Sequence, residues 1–215
     1  MRSLALYNVK EKWNYADRVY FVRHAQPKFS HIEDKTRPLT AEGEMDTKAV
    51  TDFLKDKNVD VFYCSPYKRS VDTIRGAAEL YRKEILTDNR LRERGKGANG
   101  NNYGMFQKRW QDHNYHEEGG ESIAMVQKRN IEALREILSA NQGKTIVVGT
   151  HGTALSTILN FYDSNFGCDD FLRIIDWMPY IIELDFEGEV LVSKTEHLYI
   201  EKEFKGTNRA DKKAP

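Results

Sequence analysis

Residues 18 to 26, which read Arg18-Val19-Tyr20-Phe21-Val22-Arg23-His24-Ala25-Gln26, carry the clearest structural signal in the chain. Their apolar, β-branched and aromatic run predicts a buried strand over residues 18–23. The strand ends in an arginine and a histidine, so a cation suited to phosphate stands beside a nucleophilic imidazole. Because ligands of open α/β sheets bind at the carboxyl ends of strands, we expect an anion-binding site at this edge.

A second strand ends in the same way. Residues Thr145-Ile146-Val147-Val148-Gly149 form another buried run, and Thr150-His151-Gly152-Thr153 follow it. One Arg-His pair is weak evidence, because histidine also serves in cores and on surfaces. Two buried strands that each deliver a histidine to the same edge are a much rarer arrangement, and they predict that His24 and His151 lie together.

The rest of the chain alternates between strand and helix patterns. Apolar residues at helical spacing predict helices with N-caps at Thr40 and Ser65, and a longer helix that ends at Gly143. Strand patterns cover residues 60–64 and 85–86, and residues 180–193 form a predicted hairpin. This alternation predicts a three-layer α/β/α sandwich with a mostly parallel sheet and an antiparallel edge.

The chain of 215 residues suits one domain. We expect a polar lead-in over residues 1–17, a single catalytic domain over residues 18–204 and a disordered, charged tail over residues 205–215. The lead-in lacks the apolar segment of a secretory signal, and no run is long enough to span a bilayer. Between Glu93 and Gly120, glycine and asparagine predict a loop or lid with a helical patch near residues 106–110.

Composition excludes some classes of protein. Lys and Arg number 33, as do Asp and Glu, so the formal net charge is zero and a nucleic-acid partner is not expected. Two cysteines, Cys64 and Cys168, make neither a disulfide framework nor a zinc pattern. We interpret both as reduced and expect a cytoplasmic protein with no membrane partner, while the sequence leaves homo-oligomerisation open.

Several short motifs occur in a fixed order along the chain. They are Arg23-His24-Ala25-Gln26, Pro38-Leu39-Thr40-Ala41-Glu42-Gly43, Cys64-Ser65-Pro66 with Arg69 and Thr73, Leu91-Arg92-Glu93, Gly120-Glu121-Ser122 and His151-Gly152. In this order they resemble the histidine phosphatase superfamily, the phosphoglycerate mutase-like proteins, from about Val19 to Leu159. Ala25 departs from the pattern, since the family has glycine there, and an alanine is tolerated if its φ stays negative.

The resemblance implies a role for each matching residue. His24 would be the nucleophile that forms a phosphohistidine, and Arg23, Arg69 and His151 would bind the phosphate, His151 also counting as catalytic. Glu93 would be the general acid and then the base. The arginines supply the charge that a metal supplies elsewhere, so we expect no metal and no cofactor.

Alternatives stay open at this point. The first hypothesis is a metal-independent phosphomonoesterase acting on a small phosphorylated metabolite. A phosphoglycerate mutase or related phosphotransferase, or a catalytically weak regulatory or binding homologue, would carry similar motifs. Glu93 has arginine neighbours and could belong to a mixed surface network, in which case Glu117, Glu118 or Glu121 would be the next candidates. Arg129 is interpreted as structural.

Overall fold

The computed structural model describes residues 17–98 and 103–203. Its strands are β1 (Asp17–Arg23), β2 (Val61–Cys64), β3 (Ile85–Thr87), β4 (Thr145–Thr150), β5 (Trp177–Glu187) and β6 (Val190–Glu201). They form one six-stranded sheet in the order β3-β2-β4-β1-β5-β6. The first four of these positions are parallel, whereas β5 runs antiparallel to both β1 and β6. The predicted mostly parallel sheet with an antiparallel edge is confirmed.

Helices cover both faces of the sheet. They are α1 (Ala41–Leu54), α2 (Lys68–Leu80), α3 (Tyr103–Gln111), α4 (Ile123–Ala140), α5 (Gly152–Tyr162) and α6 (Cys168–Ile174). One buried cluster joins α1 and α2 to sheet residues such as Tyr20 and Phe62. The larger cluster joins the other four helices to the opposite face, through residues such as Phe21 and Val148. These two cores make the three layers that the strand-helix alternation predicts.

The pairing of β1 with β4 positions the site. Val19 to Arg23 pair in parallel register with Ile146 to Thr150, so both strands stop at the same level. The His24 N–H extends this ladder by donating to the Thr150 carbonyl at 3.2 Å. His24 and His151 are therefore the next residues of two adjacent strands, as the sequence predicts.

The start of α2 differs from the prediction. Ser65 is not its N-cap, because the helix begins at Lys68 and Tyr67 occupies the capping position. The Ser65 hydroxyl instead lies against the His151 Nε2 at 2.7 Å and accepts a bond from the Tyr67 N–H at 3.3 Å. Its side chain therefore belongs to the site and not to the helix end.

Two further elements go beyond the prediction. The helix α6 has no predicted counterpart, and the hairpin strands β5 and β6 extend well past residues 180–193 at their outer ends.

The two cysteines form no disulfide bond, and burial raises the pKa of the Cys64 thiol to about 12. The predictions for residues 1–16 and 205–215 lie outside the described residues. Within the described ranges, every helix is too short or too polar to cross a membrane.

Candidate active site

A cleft of about 110 Å³ opens at the carboxyl edge of the sheet, where β1 and β4 end. Four of the five predicted site residues line it, namely Arg23, His24, Arg69 and Glu93. The fifth, His151, is fully buried beside His24, with 5.2 Å between the two ring centroids. The structure thus brings the predicted residues together from four separate segments of the chain.

The His24 imidazole is held in one tautomer. Its Nδ1 lies 2.7 Å from the Ala25 carbonyl oxygen, which can only accept, so Nδ1 carries the proton and Nε2 keeps its lone pair. The Ala25 N–H in turn donates to the Thr73 hydroxyl at 2.9 Å, and that hydroxyl donates to the Arg69 carbonyl. This chain of bonds ties the nucleophile candidate to the helix that carries Arg69.

The backbone after His24 is fixed from a second side. The Thr40 N–H donates to the Gln26 carbonyl at 2.9 Å, and a Cβ on Gly43 would collide with that same carbonyl oxygen. The glycine of the Pro-Leu-Thr motif is therefore needed for the close approach of α1 to this loop. Ala25 is outside the described positive-φ residues, which besides glycines are Asn58 and Arg82, so the alanine at this position is tolerated.

Burial and charge keep His24 neutral. Its side chain is 5% exposed, and its pKa lies well below the ordinary value because burial, followed by the Arg69 and Arg23 guanidinium groups, disfavours the imidazolium. A neutral imidazole is the form that attacks phosphorus. The same causes, burial first and Arg69 next, lower the pKa of His151.

The His151 ring offers a donor to the site. Because the Ser65 oxygen already accepts from the Tyr67 N–H, its own hydroxyl hydrogen can be donated to His151 Nε2. That arrangement places the remaining ring hydrogen on Nδ1, a buried atom without a hydrogen-bond partner among the described residues. A phosphoryl oxygen bound between the two rings would satisfy it.

Arg23 is anchored by the end of α6. Its Nη1 and Nη2 donate to the carbonyls of Ile174 and Ile175 at 2.6 and 2.7 Å. Gly152 leaves room for the guanidinium, since a Cβ there would lie 3.1 Å from its Cζ and Nη2. The helix α6, which was not predicted from the sequence, thus orients Arg23, one of the two predicted phosphate-binding arginines.

Arg69 and Arg37 share one carboxylate. Arg69 Nη1 donates to the Asp34 backbone carbonyl at 2.6 Å and lies 3.3 Å from its Oδ1. Arg37 Nη1 pairs with the same Oδ1. Both arginines line the cleft, and Arg37 is a site residue that none of the predicted motifs contains.

The Glu93 carboxylate reaches the cleft without forming an ion pair with the described residues. Its Oε1 accepts from the Arg94 N–H at 2.7 Å, and its Oε2 accepts from the Thr153 N–H at 3.2 Å, at the start of α5. The surface-network interpretation of Glu93 therefore finds no arginine partner here. Each oxygen keeps a lone pair on which a proton can sit.

The alternative carboxylates lie elsewhere. Glu117 is buried against Arg109, and Glu118 is exposed. Glu121 pairs with Arg129 and Arg92 at 2.9 and 2.7 Å. None of the three lines the cleft in the described part of the chain, so Glu93 is the carboxylate best placed to exchange a proton with a ligand.

Side chains from the predicted lid close one wall of the cleft. Phe106 of α3 lines it together with Phe171 of α6, at 5.2 Å between ring centroids. Lys96 adds a cation to the lining that sequence analysis did not single out. Loop conformation places both Lys96 and Arg37, and their only signal in the sequence is proximity to the Leu-x-Glu and Pro-Leu-Thr motifs.

Comparison with known proteins agrees with this geometry. A model of the histidine phosphatase superfamily (branch 1) matches residues 19–174. Among curated proteins, the chain is similar to phosphoserine phosphatase 1 of Hydrogenobacter thermophilus, at 26% identity over 176 residues, covering 71% of this chain and 82% of that protein.

Solved structures share the fold. The mycobacterial glucosyl-3-phosphoglycerate phosphatase has a TM-score of 0.69 and 18% identity, covering 87% of this chain and 100% of the other. A phosphoserine phosphatase of Entamoeba histolytica, solved in complex with 3-phosphoglyceric acid, has a TM-score of 0.69 and 22% identity, covering 86% and 98%. The match over residues 19–174 shows that this chain belongs to the histidine phosphatase superfamily, branch 1, as a phosphoric monoester hydrolase of that family.

Proposed function

We propose that this protein is a metal-independent phosphomonoesterase that acts on a small phosphorylated metabolite through a phospho-His24 intermediate. The observation that carries the proposal is the state of His24: a buried imidazole, kept neutral by burial and two arginines, with Nδ1 committed to the Ala25 carbonyl. Only Nε2 is left to act as a nucleophile.

In the first step, Nε2 attacks the phosphorus atom and forms an N–P bond while the ester P–O bond breaks. Arg23 and Arg69 hold the non-bridging oxygens, and the His151 Nδ1–H donates to one of them. The leaving oxygen takes the electron pair of the broken bond and a proton from Glu93. The alcohol then departs, and Glu93 is left as a carboxylate.

In the second step, Glu93 removes a proton from a water molecule, and the water oxygen attacks the phosphohistidine. The N–P bond breaks, its electron pair returns to Nε2, and inorganic phosphate leaves. Guanidinium groups carry the charge compensation throughout. Among residues 17–98 and 103–203, no three His, Cys, Asp or Glu side chains gather as a metal site would require.

The size of the cleft supports a small substrate. Its volume of about 110 Å³ is far below the roughly 300–1,000 Å³ of sites for drug-sized ligands. Phosphoserine and glucosyl-3-phosphoglycerate, the compounds in the names of the relatives above, are phosphorylated small molecules as well. A mutase would use the same phosphohistidine but return the phosphoryl group to a second hydroxyl, so the fate of the phosphate separates the two functions.

Release of inorganic phosphate from a panel of phosphorylated metabolites tests the proposal. We expect release at full rate after exhaustive dialysis against a chelator, inhibition by vanadate, and loss of at least a thousandfold in His24→Gln. His116→Gln, at an exposed histidine outside the cleft, is the matched control. A strict requirement for added divalent metal, or phosphate moved between substrate hydroxyls without release, would overturn the proposed function.

A further inference from the structure

The cleft holds more positive charge than one phosphate group neutralises. Five cations are part of its described lining: Arg23, Arg37, Arg69, Arg94 and Lys96. Arg94 is paired at 3.6 Å with Glu117, which lies outside that lining, so four cations remain. Asp34 is a carboxylate, and Glu93 carries the proton that it donates in the proposed function, so the formal excess in the reacting complex is three positive charges. A phosphate monoester carries about −1.5 to −2 charges at pH 7. At least one positive charge remains for the rest of the substrate.

Lys96 is the cation with the least compensation. Its side chain is exposed at the cleft and makes no hydrogen bond or ion pair with any described residue. Partial desolvation, together with repulsion by Arg37 and Arg69, lowers the pKa of Lys96 although Asp34 opposes the shift. An anionic group bound here would relieve that repulsion.

Asp34 cannot neutralise Lys96 as well. Its carboxylate is already shared between Arg37 and Arg69, as described above. Arg37 is buried, and its Nε and Nη2 donate to the His31 carbonyl at 3.1 and 3.0 Å. Of the five N–H donors of a guanidinium, these bonds leave two on Arg37 for a ligand.

The position of Lys96 in the chain indicates which part of the substrate it faces. It follows Glu93 by three residues on the same segment, and Glu93 is the group that protonates the leaving oxygen in the proposed function. Lys96 and Glu93 both line the cleft, and the charges of Glu93, Asp34 and Arg37 all act on the Lys96 ammonium. We therefore assign Lys96 to the leaving-group side, whereas Arg23 and Arg69 are assigned to the phosphate. Apolar side chains of Phe106, Phe171 and other residues line the same cleft and suit a short carbon skeleton.

Resting on the proposed function, we propose that Lys96 and Arg37 form a second anion subsite that binds a carboxylate on the leaving group. The substrate class is then small phosphate monoesters whose alcohol portion carries one carboxylate. Lys96 contributes most of the discrimination, because its ammonium has no partner to give up among residues 17–98 and 103–203. Arg37 contributes a guanidinium that is already oriented by His31 and Asp34.

Binding to a His24→Asn variant, which lacks the nucleophile, isolates the subsite from turnover. The probes are 3-phosphoglycerate and glycerol 3-phosphate, which differ in a carboxylate against a hydroxymethyl group. By calorimetry we expect the carboxylated ester to bind about tenfold more tightly, which is the worth of one good ion pair. Adding Lys96→Met should bring the ratio of the two dissociation constants to about one, and adding Lys96→Arg should preserve it.

Lys48→Met, on the exposed face of α1, removes the same charge away from the cleft and is the matched control. Equal dissociation constants in the His24→Asn protein, a ratio that survives Lys96→Met, or failure of both esters to bind would overturn the subsite. The proposed function is judged separately, by phosphate release from the unmodified protein. Release without discrimination refutes the subsite alone, and discrimination without release refutes the proposed function alone.

Discussion

The guanidinium of Arg129 donates a 3.1 Å hydrogen bond to the backbone carbonyl of Glu93. Its Nη1 also donates to the carbonyls of Arg90 and Arg92 at 2.6 and 2.7 Å. Its Nε and Nη2 each donate to the Glu121 carboxylate at 2.9 Å. One arginine of α4 therefore holds the backbone segment from which the Glu93 side chain enters the cleft. Glu121 completes the clamp by accepting from the Gly95 N–H at 2.7 Å.

Replacing Arg129 by lysine tests whether this clamp positions Glu93. Lysine keeps the charge facing Glu121 but lacks the planar fork that reaches three carbonyls. We expect kcat for an alkyl phosphate to fall about tenfold, while phosphorylation by an activated aryl phosphate, which needs little protonation, changes much less. Arg135→Lys, at an exposed position of the same helix, is the control. Equal losses on both substrates would show a structural role only.

Glu93→Gln tests the proton donor directly. General acid catalysis contributes roughly 100- to 10,000-fold when the leaving alkoxide is poor. The variant should lose that factor on alkyl phosphates and retain the burst of an aryl phosphate, because a stabilised phenoxide leaves unaided. The exposed Glu118→Gln serves as the matched control, and burst rates for both substrates provide the measurement. If Glu93→Gln hydrolysed alkyl phosphates normally, the assignment would be wrong.

The lowered pKa values of His24 and His151 give stability a pH dependence of definite sign. Just below the ordinary histidine pKa of about 6.5, His24 and His151 bind protons in the unfolded chain but stay neutral in the folded protein. The free energy of unfolding therefore falls as the pH falls. Each such histidine contributes a slope of up to about 1.4 kcal/mol per pH unit.

Urea unfolding between pH 5 and 7.5 measures this slope. The His24→Asn variant removes one titrating group, so its free energy of unfolding should depend less steeply on pH than that of the unmodified protein. Carboxylates contribute equally to both proteins and cancel in the comparison. Parallel curves would mean that His24 titrates alike in the folded and unfolded states.

Gly152→Ala tests how Arg23 is held. The added methyl group would lie 3.1 Å from the guanidinium, which has to move and so disturbs its bonds to the carbonyls at the end of α6. We expect the dissociation constant for inorganic phosphate, measured by calorimetry, to rise about fivefold to tenfold. Gly167→Ala, where the nearest atom is 3.8 Å away, should leave phosphate binding unchanged. Unaltered affinity in Gly152→Ala would show that the Arg23 guanidinium can shift without loss of phosphate binding.

The centre of the site is predictable from sequence because it depends on strands. An apolar run in the sequence predicts a strand. Parallel pairing then brings the residues after β1 and β4 to one edge of the sheet, independently of the conformation of the loops. His24, Arg23 and His151 follow from that rule. Arg69 follows in the same way from the helix after β2.

The outer part of the cleft depends on loop conformation and long-range contacts. Nothing in the local sequence indicates that Arg37 turns toward the cleft or that Ile174 and Ile175 present carbonyls to Arg23. Ser65 has the pattern of a helix cap, yet a tertiary hydrogen bond to His151 takes its side chain. Contacts with residues distant in the sequence determine the orientation of these side chains, and such contacts cannot be identified from a single sequence.

Trapping the phosphoenzyme is the direct test of covalent catalysis by His24. The unmodified protein is mixed with a labelled phosphate monoester, quenched in alkali within milliseconds and digested for mass spectrometry. We expect up to one phosphoryl group per chain, attached to His24, stable in alkali, labile in acid and missing from His24→Ala. Turnover without any phosphorylated His24, or near-normal turnover by His24→Ala, would contradict it.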